Sequence, residues 1–488
     1  MRALHLLLPA LVMACGPKEP PAPPVVAPPP VPAYRTTQPG PLAERPFTLP
    51  TSQEATLSNG LRVVLVEEHE VPLVYVHLTS TMGSWTDPDN KPKLASATLD
   101  MLNEGAGGRD AAALSTALRT LGATLNTGAS KDGSSISLDV MKKNLEPALD
   151  LMADVIIRPE FPKADWDLMR KKRLASLSES RESASGMAAR AWNHMLYGDS
   201  YIGRLSTDAG YAAISTRDMK KWWSIHIVPQ HSILLVGGDI TLEEAVPMLE
   251  ARFGKWKGPR RVAKHDAPSA DALPTFEEST IFLVDKPEAP QSVVRGGLFV
   301  GKKTDADWPA FNLANMAIGG QFSARINMNL REDKGWTYGA RSGVRHGYLP
   351  GLWSASGNIV TPHTAEAVAE IIKEINEARE ARLVTDKELS AARGALLGTW
   401  PLEFENPGYL LGETAEMWRY DLPDDWLSGR IARYRAVTLD QANAAFQAHV
   451  DPAKMVFVIV GDAAVIKEPL AALGLPVVMI DADGRPVQ

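Results

Sequence analysis

The chain has 488 residues, of which 45% are hydrophobic and 22% charged, with a formal net charge of -7. This is the composition of a globular protein able to bury substantial cores, which sets aside disordered and fibrous classes. The acidic balance, with no basic stripe interleaved with aromatics, argues against a nucleic-acid partner, and the single cysteine rules out intrachain disulfides.

In chain order, Arg2 precedes an apolar run from Leu6 to Ala14 that ends at Cys15. The run is too short to span a bilayer as a helix. The string Leu11-Val12-Met13-Ala14-Cys15-Gly16 resembles a bacterial lipobox, so residues 1–14 are expected to form a lipoprotein-type signal and Cys15 to carry lipid. A plain signal peptide with an incidental cysteine is the alternative. Residues 15–48 are Pro-rich and predict an extended tether without a core. Gly16 after the cysteine, in place of the Asp linked with inner-membrane retention, points to an outer-membrane location facing the periplasm, with the membrane reached through the lipid anchor alone.

Beyond the tether, apolar runs at 61–66 and 74–80 predict paired strands. Helical spacing marks 94–103 and 111–121, alternation marks a strand at 135–140, and longer helices follow at about 145–155 and 163–183. Ile233 to Val236 reads as a short buried strand. Thr241 to Glu244 then has the form of a capping box, as do Thr385 to Glu388 and Thr438 to Gln441.

The second half repeats the first. Ile214 to Pro229 can be laid on Val437 to Pro452, which puts His226, Pro229, Gly238 and Asp239 on His449, Pro452, Gly461 and Asp462, each pair 223 positions apart. An ungapped shared offset of this length reads as a duplicated domain. The boundaries expected are 49–258 for the first domain, 259–273 for a linker and 274–488 for the second. Strands mixed with long helices favour an α+β class over a doubly wound sheet.

Within the second half, Gly319 and Gly320 are expected to form a tight turn into a helix whose apolar face carries Phe322, Ile326 and Leu330. Arg331 falls near its end, Gly335 at an αL cap, and Thr337-Tyr338 opens a strand through Val344. A guanidinium and a phenol at one corner can both donate to a carbonyl oxygen that gains charge during acyl transfer. The plain alternative is a solvated Arg beside a sheet-packed Tyr.

On the duplicated halves, the 123–140 segment, the long helix with Arg170-Lys171-Lys172-Arg173, the strand end Val236 to Asp239 and the stretch Phe322 to Tyr338, the chain resembles the pitrilysin/insulinase (inverzincin) family of zinc metallopeptidases. The resemblance implies two homologous α+β domains, each an antiparallel sheet covered by helices, arranged as a clamshell around an extended peptide. It also implies that Arg331 and Tyr338 match the family's catalytic Arg/Tyr pair. The zinc motif is degenerate: His at i and i+4 with an intervening Glu would grip a metal and activate its water, but Ser96, Leu99 and Asp100 stand in those places, and Leu177, with Glu179 close by, stands for the third ligand. No metal is therefore expected in this chain, and no hydrolysis by it alone.

The leading expectation is a non-zinc subunit that serves a homologous zinc-bearing partner chain, zinc being held there, on extended peptide substrates added along a sheet edge such as 135–140. The alternative from another class is a catalytically inactive peptide-binding or envelope scaffold of the same fold.

Overall fold

Two six-stranded sheets, alike in five of their strands, carry the molecule in this computed structural model, which describes residues 32, 35, 37, 47–260, 268–271 and 273–487. The signal, Cys15 and most of the tether lie outside the described residues, as does much of the 259–273 linker. Residues up to Thr48 form one unit and those from Leu49 onward another, and the latter contains both sheets.

In the first half the strands are β1 (Ser52–Thr56), β2 (Arg62–Glu67), β3 (Leu73–Ser80), β4 (Thr124–Ala129), β5 (Ser134–Met141) and β6 (Ser232–Gly238). In the second they are β7 (Thr280–Asp285), β8 (Gln291–Phe299), β9 (Thr337–Arg345), β10 (Leu352–Val360), β11 (Val456–Gly461) and β12 (Val477–Ile480). The sheet orders are β1-β2-β6-β3-β5-β4 and β12-β7-β11-β8-β10-β9. Five of the strands correspond one to one; the sixth does not, since β1 precedes and runs antiparallel to β2 whereas β12 follows all the others and runs parallel to β7. Both sheets are mixed where purely antiparallel ones were expected: β2 runs parallel to β6, and β7 runs parallel to β11 and β12. The reason is connectivity, since β6 returns beside β2, and β11 beside β7, after several intervening helices, a crossover that permits parallel pairing.

The helices that position the site are α1 (Leu94–Asp100), α2 (Lys163–Glu182), α3 (Ala184–Tyr197), α4 (Thr216–His226), α5 (Trp308–Asn315), α6 (Asp386–Glu403), α7 (Pro407–Tyr420) and α8 (Leu439–His449). The repeat is visible in their starts: 386 against 163, 407 against 184 and 439 against 216, each 223 apart. Local chemistry sets these starts. Capping boxes close at Thr241/Glu244, Thr385/Glu388 and Thr438/Gln441, and a fourth at Ser215/Asp218 begins α4 at the position matching Thr438. Each satisfies two otherwise orphaned backbone donors.

Each half has its own core between one sheet face and its helices. A third cluster joins the halves. Ala188, Trp192, Leu196 and Tyr197 of α3, a first-half helix, pack on Val456, Val458 and Val460 of the second sheet. Reciprocally, α7 of the second half lies on β6 and β3 of the first, and a Cβ on Gly237 of β6 would stand 3.2 Å from Leu411. The halves thus exchange one helix each. Among the described residues no helix is long and apolar enough to cross a membrane.

Two expectations need correction. Residues 135–140 are not a sheet edge, because β5 pairs with β3 on one side and β4 on the other; the edge on that side of the sheet is β4. The segment from Gly319 is not one continuous helix either. Met316–Gly320 and Met328–Asp333 are π-helical, with a three-residue α turn, Arg325–Asn327, between them and extended backbone at Gln321 and Ala324. Ile326 and Leu330 are buried as expected, whereas Phe322 is 51% exposed because it precedes the helical turns. Gly319 is required by close approach, since a Cβ there would stand 2.3 Å from Ser342 Oγ.

Candidate functional site

The degenerate metal position is built where α1 meets α2. The N-terminus of α1 is held by Asp87, whose carboxylate accepts from the backbone N–H of Lys93 at 2.9 Å and of Ala95 at 2.7 Å. Burial pushes the Asp87 carboxyl up to about 6, against the lowering effect of those two bonds. Lys93 takes the left-handed conformation, φ 73°, to start the helix. Asp87 is thus a second anchor of α1 that periodicity does not announce.

On α1, Ser96 and Asp100 face α2 while Leu99 is fully buried in the first-half core. Leu177 of α2 is also buried there, and Glu179 is exposed. The group that fills the position is Arg173, one helical turn before Leu177. Its Nη2 donates to Ser96 Oγ at 3.1 Å and also to Asp100 Oδ2. Its guanidinium lies 5.9 Å from the centre of the Tyr211 ring. These residues do not fit a zinc ion: the two polar positions are a hydroxyl and one carboxylate, the carboxylate is already paired, and the paired group is itself a cation. No hydrolytic step is routed through this half. Among the described residues no group of three or more His, Cys, Asp or Glu is placed to hold a metal.

The sequence offered a signal for Arg173, the basic run 170–173 on the helix that carries the third-ligand position. Spacing alone could not say which of the four would turn inward. Arg173 keeps only 14% of its side chain exposed, whereas Lys171 and Lys172 are exposed.

Arg331 and Tyr338 lie at the corner between the second π-helical turn and β9. Gly335 takes φ 66°, the left-handed cap that ends the helical run and turns the chain into the strand. Arg331 is half-exposed, with its guanidinium carbon 4.5 Å from the Phe322 ring centre and Nε 3.4 Å from Glu332. Tyr338 is 91% exposed and its hydroxyl makes no hydrogen bond among the described residues. It stands at an irregularity in β9, where pairing with β10 shifts register between Thr337 and Ala340. Asn327 fixes that corner, donating to the Phe322 carbonyl at 2.7 Å and accepting from the Ala340 N–H at 3.1 Å. The corner presents a half-exposed guanidinium, held by Glu332 and Phe322, and an exposed phenol that makes no hydrogen bond among the described residues.

A two-halved α+β fold with Ser96, Leu99 and Asp100 at the metal-motif positions of one half and an Arg/Tyr corner in the other defines a peptidase-fold protein. Residues 62–203 match the family described as Insulinase (Peptidase family M16), and residues 213–396 match the one described as Peptidase M16 inactive domain. The chain belongs to the insulinase, or M16, peptidase family. It is 25% identical over 409 residues to an uncharacterized zinc protease of Streptomyces coelicolor, covering 81% of this chain and 86% of that protein. It is 21% identical over 407 residues to the non-peptidase homolog YmxG of Helicobacter pylori, covering 82% and 91%. The crystal structure of a peptidase M16 inactive domain from Pseudomonas fluorescens superposes with a TM-score of 0.76 at 25% identity, over 84% of this chain and 98% of that one.

Proposed function

We propose that this chain is the non-zinc subunit of a two-chain M16-type peptidase, supplying Arg331 and Tyr338 to a homologous partner that holds zinc. The observation that carries this reading is an asymmetry of construction. In the first half a guanidinium closes the metal position, while in the second half Tyr338 is 91% exposed with no internal partner. A phenol held clear of its own fold is poised to donate to something outside it. In that role Tyr338 stabilises the oxyanion of the tetrahedral intermediate and Arg331 holds a substrate carbonyl, each worth about 3 kcal/mol of transition-state stabilisation. Substrates are extended peptides, bound by strand addition to a free sheet edge.

The test is a mixing experiment with the candidate zinc-bearing chain. Tyr338→Phe and Arg331→Ala are expected to lower kcat of the assembled enzyme by about a hundredfold; undiminished cleavage with both variants removes the claim. A second reading, an inactive peptide-binding or envelope scaffold, draws on the printed name of the Helicobacter relative, a non-peptidase homolog. A stable assembly containing no zinc-bearing homologue would favour it.

The lipobox-like sequence at Cys15 supports an anchored position in the cell envelope, at the outer membrane on its periplasmic side. Fatty-acid labelling lost on Cys15→Ser is the expected result, and persistent labelling would count against it.

A further inference from the structure

The second sheet has one face under its own helices and another that α3 covers chiefly over β8 and β11. Pleating decides which side chains fall where. Val294, Ala340, Ser342, Trp353, Ala355 and Ile359 are buried toward the second-half core. The alternate positions Arg295, Arg341, Arg345, Ser354, Ser356 and Asn358 therefore project to the opposite, open face, and all are exposed or half-buried. Register lines them up. Arg341 of β9, Ser356 of β10 and Arg295 of β8 form one row across three strands, and Arg345 stands four residues further along β9.

None of these three arginines has a carboxylate partner among the described residues. Arg345 donates to Asn193 Oδ1 at 3.3 Å, and the Arg341 guanidinium lies 5.9 Å from the centre of the Phe322 ring. Arg295 is held below the usual arginine range by burial and by the like charge of Arg345. Uncompensated positive charge on one face is unusual in a chain of net charge -7. It is not a property of the fold either. The matching row of the first sheet is His77–Ser137–Asn126, which carries no arginine. Between Arg341 and Arg345 the floor is open, since a Cβ on Gly343 would meet nothing within 4 Å. β9 is moreover a sheet edge, with backbone groups free to pair with an added strand.

We propose that the open face of the second sheet is a receptor for an acidic peptide, which adds along β9 and sets carboxylates four residues apart against Arg341 and Arg345. In extended chain that spacing is about 13 Å, and side chains directly opposite one another on paired strands stand close enough to form ion pairs. Arg295, two strands inward, receives a longer acidic side chain or the peptide's C-terminal carboxylate. Partly desolvated guanidinium–carboxylate pairs are strong and bidentate. The assignment rests on the peptide-binding reading, whose substrate class it names, and needs neither the partner nor catalysis.

The experiment is fluorescence anisotropy with the full chain and labelled ten-residue peptides of one backbone sequence. They carry Glu at i and i+4, Glu at i and i+2, or Lys at i and i+4. The i, i+4 Glu peptide is expected to bind at least about tenfold more tightly than the Lys peptide and to weaken as salt rises. Its affinity should fall about tenfold in Arg341→Gln/Arg345→Gln, with partial recovery in Arg341→Lys/Arg345→Lys. Equal affinity for Glu and Lys peptides overturns the proposal, as does undiminished binding by the Gln variant. An oligonucleotide bound as tightly as the Glu peptide also overturns it. Binding is read on this chain alone, with no zinc-bearing partner present, so failure of the catalytic reading leaves this result intact.

Discussion

Arg173 Nη2 lies 3.1 Å from Ser96 Oγ and bonds Asp100 as well, so a single guanidinium ties the helix Leu94–Asp100 to the helix Lys163–Glu182. The fold has kept a cation between these helices and made it covalent.

Removing that cation should loosen the helix pair. Arg173→Ala is expected to lower stability by about 1–2 kcal/mol, the lower part of the range for hydrogen bonds to charged groups because Asp100 is 46% exposed. Urea unfolding measures this. A metal-seeking variant, Ser96→His/Asp100→His/Leu177→Glu, should take up zinc only when Arg173→Ala is added. Zinc bound per chain is the readout, and uptake with Arg173 retained would show that the guanidinium does not block the position.

Tyr338 separates activity from stability. Because its ring is 91% exposed, Tyr338→Phe should leave the unfolding free energy within about 0.5 kcal/mol of the original while lowering kcat with the partner. Phe322→Ala tests whether the ring 4.5 Å from Arg331 holds the guanidinium in place. The expected cost is about two- to fivefold in kcat, the yield of an exposed cation–π contact.

A buried lysine makes stability depend on alkaline pH. Lys131 donates to the carbonyls of Tyr201 and Ile202, each at 3.2 Å. Burial first, then Lys93 and Arg345, lowers it from 10.5 to about 7, against Asp87 and Asp132. The unfolded chain therefore binds more protons than the folded one between about pH 7 and 10, and stability rises with pH across that window. The urea midpoint should rise from pH 7 to pH 9.5 for the unmodified chain and rise less for Lys131→Met, where Lys93, also lowered by burial, still contributes.

The exchanged helices should make the two halves melt together. Trp192 of α3 is buried against the second sheet. Trp192→Ala is expected to cost about 3–5 kcal/mol and to shift a single transition seen by tryptophan fluorescence and by circular dichroism alike. Two transitions, with only one displaced, would mean that the halves are energetically independent.

Much of the architecture was legible because it is written in local chemistry. The capping boxes at Thr241, Thr385 and Thr438 form as read, and the 223-residue offset recurs in three pairs of helix starts. Strands with polar edges were harder. Ser52–Thr56 and Thr124–Ala129 sit at the borders of their sheet, so their side chains lack the buried alternation that marks an inner strand. The parallel pairings and the exchange of α3 and α7 depend on contacts hundreds of residues apart, which no window of sequence contains. At the site, the departure from the zinc motif could be read at Ser96, Leu99 and Asp100. The occupant could not, because the inward turn of Arg173 is settled by the packing of one helix on another. The arginine row on the second sheet was hidden for a similar reason: Arg295, Arg341 and Ser356 become neighbours only through strand register.

The reciprocal helices also say what a cut between the halves would do. A break between Phe253 and Thr280 severs no element of either sheet. Yet each fragment would leave with the helix that roofs the other, and would itself lack a roof. Neither piece is a finished domain; each is a template for its counterpart. Co-expressed as separate chains, they should find one another and rebuild the parent, whereas either alone would expose an apolar sheet and aggregate.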